Sequence, residues 1–63
     1  MNFYYDIILS EINECDMCLT DVSYILGACD FAYQSHCISF EERSQLLDIA
    51  MKKYYSYCRL KEV

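Results

Sequence analysis

Proline is absent from this chain, tryptophan is absent, glycine occurs once at Gly27, and no lysine or arginine precedes Arg43. Each gap excludes something. Folds rich in strands or loops rely on glycine and proline at their turns, so an all-α chain is expected. One glycine cannot build a phosphate-cradling loop. No apolar run approaches the ~20 residues that a membrane span needs, so no membrane partner is expected. The start, Met1-Asn2-Phe3-Tyr4-Tyr5-Asp6, has no basic region and carries an acid. A secretory signal is therefore not expected, and a cytoplasmic location is the default.

What is present is acidic and aromatic. Asp6, Glu11, Glu14, Asp16, Asp21, Asp30, Glu41 and Glu42 give the first 42 residues a formal charge of −8, while the remainder carries +3. Such a surface repels nucleic acid and attracts basic protein faces. Seven tyrosines and three phenylalanines contribute to a composition that is 56% hydrophobic, more than one small core easily hides. Tyrosine combines a dry ring with a wet hydroxyl and is common at protein interfaces. The surplus points to a partner or to a homodimer. With 63 residues, a single domain over 1–63 is expected.

The hydrophobic period supports three helices. Over about residues 2–15, Tyr4, Ile8, Ile12 and Cys15 share a face with Tyr5 and Leu9, while Asp6, Ser10, Asn13 and Glu14 lie opposite. Phe3 and Ile7 fall outside that stripe and need a second cover. Thr20 can cap a second helix over about 21–35, whose stripe is Val22, Ile25, Leu26, Cys29 and Tyr33. Tyr24, Ala28 and Phe31 stand on its other side. Gly27 inside it suggests close approach or a kink. Ser39-Phe40-Glu41-Glu42 fits a capping box. It opens a third helix, over about 40–58, with Phe40, Leu47, Met51, Tyr54 and Cys58 in a narrow stripe widened by Leu46, Ala50 and Tyr57. Lys52, Lys53, Arg59 and Lys61 suit the negative end of that helix. Short connections make neighbours antiparallel, so a small three-helix bundle is expected, the variant being a helical hairpin with the first helix docked across it.

Catalysis finds little material. His36 is the single histidine, and convergent polar partners for acid–base work are missing. A chain of this size has little room for a pocket of ~300 Å³ or more. Cys15-x-x-Cys18 lacks the βα context of a redox motif. Cys15, Cys18 and Cys58 could meet at one end of the bundle, but without an identified fourth ligand no metal or other cofactor is expected. The odd count of five cysteines fits free thiols in a reducing compartment. A helix-turn-helix reading meets Glu41 and Glu42 where phosphates would lie.

The leading expectation is a non-enzymatic protein that binds a larger protein with a basic surface and inhibits or regulates it. Asp6, Glu11, Glu14, Asp21 and Asp30 would supply charge, and Tyr24 and Phe31 the apolar anchors. The alternative is a self-associating module that contacts nucleic acid through its C-terminal basic residues. In size, charge and composition, the chain resembles the small acidic helical proteins that phages and mobile elements use against host defence, anti-CRISPR proteins among them. That likeness spans the whole chain and rests on no motif.

Overall fold

Each helix starts where a local group satisfies its orphan backbone donors. In the computed structural model, which describes residues 2–62 and side chains through residue 60, α1 spans Phe3–Glu14, α2 Leu19–Gln34 and α3 Phe40–Glu62. The Asn2 side chain accepts from the amides of Tyr4 and Tyr5 and so caps α1. The capping box at α3 is formed on both sides: Glu42 N–H donates to Ser39 Oγ (3.1 Å), and Ser39 N–H donates to Glu42 Oε1 (2.8 Å). α2 begins two residues earlier than its pattern implied. Cys18 occupies the cap without a side-chain bond to the helix backbone, its Sγ donating instead to Asp21 Oδ2 (3.5 Å), and Thr20 lies inside the helix rather than capping it. α3 runs past residue 58 to Glu62, while the side chain of Lys61 lies outside the described set.

α2 ends in a Schellman arrangement built without glycine. His36 adopts φ 62°, and its amide donates to Tyr33 O (3.0 Å), while the Cys37 amide donates to Ala32 O (2.8 Å). The single histidine thus has a backbone role at a left-handed turn position. Met17 has φ 61° in the first connection, and its side chain is fully buried. Burying that side chain offsets the cost of the left-handed backbone.

Three side-chain links set the helix directions. Asn2 Nδ2 donates to Cys37 O and to Glu42 Oε1 (3.2 Å), while Lys53 Nζ donates to Ile12 O (2.7 Å) and Asn13 O (2.9 Å). α1 and α3 therefore run in the same direction. Arg43 and Asp30 join the start of α3 to the end of α2 (2.7 Å), so α2 runs against both. The result is an up-down-up three-helix bundle, 40 × 18 × 16 Å. Its long dimension follows α3, whose 23 residues rise about 34 Å.

The core is Ile8, Ile12, Met17, Val22, Ile25, Cys29, Ala32, Ile38, Leu46 and Ala50. Each large member contributes roughly 1.5–3 kcal/mol by leaving water. This set is narrower than the apolar stripes of the sequence. On α3 the centre falls on Leu46 and Ala50, so Phe40 is 61% exposed and Leu47, Met51, Tyr54 and Cys58 are only partly covered. On α2, Leu26 and Tyr33 are exposed, and Tyr4 of α1 is too. Met17 and Ile38, from the connections, fill the two ends instead.

Candidate protein-docking surface

A stripe wider than its cover leaves apolar groups at the flank. Around α1, the flank toward α2 carries exposed Phe3, Tyr4, Ile7 and Glu14 with half-buried Glu11; around α2, the flank toward α1 carries exposed Tyr24 and Phe31 with half-buried Asp21 and Ala28. The Tyr24 hydroxyl bridges them, donating to Glu11 Oε1 (3.3 Å), and that carboxylate holds the Tyr24 hydroxyl above its ordinary pKa. In an antiparallel pair with this register, Phe31 lies level with Tyr4, Ala28 with Ile7, and Asp21 with Glu14. One end of the face is therefore aromatic and the other acidic.

The acidic end also registers on a neighbouring thiol. Partial burial pushes the Cys15 thiol up, and Asp21, Glu11 and Glu14 push it further against a smaller opposing pull from Lys53. That is the reverse of an activated cysteine. None of these three carboxylates has a cationic partner: among the described residues the ion pairs are Arg43–Asp30 and Lys52–Asp48.

Of the seven side chains expected to grip a partner, five share this face: Glu11, Glu14, Asp21, Tyr24 and Phe31. Tyr24 is 58% and Phe31 73% exposed. Asp30 lies on the opposite side of α2 and is engaged by Arg43 through both Nη2 (2.7 Å) and Nε (2.8 Å). Asp6 is exposed on the side of α1 turned away from α2. Tyr4 joins the face although the hydrophobic period had assigned it to the core. Its place at the rim of the α1 stripe, next to Ile7, was the available signal.

Gly27 lies between Tyr24 and Phe31 on the outer side of α2, and a Cβ built there would meet nothing within 4 Å. No close helix approach inside the chain accounts for it. An open cleft of about 380 Å³ lies below the end of α3, lined in part by Asn13, Asp16, Lys53, Tyr57 and Leu60. It is larger than the chain length suggested, because α3 outruns the other two helices. Lys53 is turned onto the α1 carbonyls, where a cation offsets the helix dipole. All five cysteines are free, and among the described residues no three His, Cys, Asp or Glu side chains are grouped to hold a metal ion. No described helix is long and apolar enough to cross a membrane. No family model, curated protein or solved structure matches the chain.

Proposed function

We propose that this protein is a non-enzymatic, cytoplasmic interaction protein that docks its α1/α2 face on a basic surface of a larger protein and thereby inhibits or regulates it. The observation that carries this is the continuity of exposed rings with carboxylates that form no ion pair among the described residues. Tyr24, Phe31 and Tyr4 offer the kind of anchors that dominate interface energies, and Glu11, Glu14 and Asp21 select a cationic groove. Gly27 leaves a notch between the two α2 rings, into which a partner backbone can settle. On a target that handles nucleic acid, these carboxylates would compete with phosphate. That action suits the phage and mobile-element anti-defence class that the chain resembles.

The nucleic-acid alternative is weakened by where the cations go. Arg43 holds Asp30, Lys52 holds Asp48, and Lys53 holds the end of α1, which leaves Arg59 among the described basic side chains. A test compares tagged wild type with Tyr24→Ala/Phe31→Ala in affinity capture from host lysate at low salt. A stoichiometric partner should bind wild type and lose roughly 30-fold or more in affinity to the double variant. Raising the salt should weaken the same complex. Equal capture by both proteins would sink the proposal.

A further inference from the structure

The apolar residues that the sequence places in core stripes, but the bundle leaves exposed or only partly buried against the core, collect mainly along one seam. They are Leu26 and Tyr33 of α2 with Phe40 of α3, all exposed, and Leu47, Met51 and Tyr54 of α3, partly buried. The Asp30–Arg43 link fixes the register of this antiparallel pair, so that Leu26 lies level with Leu47 and Tyr33 with Phe40. The rings of Tyr33 and Phe40 do meet edge-on, 6.0 Å between centroids. Leu26 and Tyr33, like Phe40, Leu47 and Tyr54, follow one another at seven-residue steps, which keeps a row nearly straight along a helix. Straight rows on two adjacent helices form the kind of surface that interlocks with another helix pair.

Charge decides which occupant fits. The charged side chains within the seam are Asp30 and Arg43, paired at 2.7 Å, with the guanidinium 5.8 Å from the Tyr33 ring centre. A basic partner gains nothing from so neutral a surface. A second copy does, because a chain of net charge −5 repels itself wherever unpaired carboxylates would meet. Glu11, Glu14 and Asp21 close the α1/α2 face to self-association for that reason. The size is also adequate. α2 rises about 24 Å and two helices span ~20 Å, giving on the order of 500 Å² per copy, near the ~1,000 Å² total of a specific interface.

We propose that a second copy of this chain covers the α2/α3 seam in a two-fold dimer, leaving each α1/α2 face outward. A two-fold contact places the same seam on both sides, so one neutral, apolar surface serves as its own complement. The proposal is independent of the docking function, which uses the opposite flank of α2.

Sedimentation of the full chain from roughly 5 to 500 μM tests it. Wild type should move from its monomer mass of 7.5 kDa to twice that value. Phe40→Lys, which replaces a ring already 61% exposed in the monomer, should weaken association about tenfold or more while helicity by circular dichroism stays the same. Leu26→Lys should do likewise, and Phe31→Lys should leave the mass unchanged. A wild type at monomer mass throughout overturns the proposal. So does a dimer that Phe40→Lys leaves intact or that Phe31→Lys disrupts.

Discussion

The two flanks of α2 are equally apolar in sequence but carry their charges differently. Toward α1, Tyr24 and Phe31 share the surface with Glu11, Glu14 and Asp21, none of which forms an ion pair among the described residues. Toward α3, Leu26 and Tyr33 share it with Asp30, which Arg43 neutralises. One flank therefore carries the charge on which the proposed basic partner rests, while the other is electrically quiet. Apolar surface alone says that something binds; the state of the carboxylates beside it says what kind of thing.

The largest expected effect tests whether the two flanks form one cooperative unit. Ile25 is fully buried between them, and Ile25→Ala should cost about 2–5 kcal/mol in urea unfolding. Hydrogen exchange should report α1 and α3 loosening together. Protection lost from α1 alone would separate the flanks into units of different stability.

A smaller effect acts on one flank only. Gly27 sits in a helix interior with space around it and no positive φ, so Gly27→Ala should stabilise the fold by about 1 kcal/mol. The same change fills the notch between Tyr24 and Phe31. Partner binding should weaken while self-association at the α2/α3 seam stays unchanged. Tighter partner binding by the alanine variant would count against the notch.

The smallest effect separates both flanks from the α1–α3 junction. The Ser39 backbone N–H, together with the Asn2 side chain and the Ser39 hydroxyl, holds the Glu42 carboxyl below its ordinary pKa despite an opposing contribution from partial burial. A depressed folded-state value means the contribution is present above the unfolded pKa near 4.5 and is lost as pH falls through the lower folded value. Glu42→Gln should therefore flatten part of the acid limb of stability below about pH 4.5 and leave the neutral-pH mass distribution unchanged. An acid limb identical to wild type would remove Glu42 from that role.

Helix number and the α3 cap were legible because they depend on neighbours in the chain: Ser39 and Glu42 stand three residues apart, and hydrophobic period needs no tertiary partner. The acid-first charge order, and Tyr24 and Phe31 outside the main α2 stripe, were legible in the same way. Thr20 was a misleading cap signal, because Leu19 had already entered the helix behind Cys18. Only the tertiary structure decided which part of each apolar stripe is covered. A stripe fixes a direction around one helix to within a wide arc, and the neighbours' packing selects the part of that arc that becomes dry. That choice put Leu46 and Ala50 at the centre, left Phe40 and Leu26 in the seam, brought Met17 and Ile38 in from the connections, and spent Asp30 and Lys53 inside the chain.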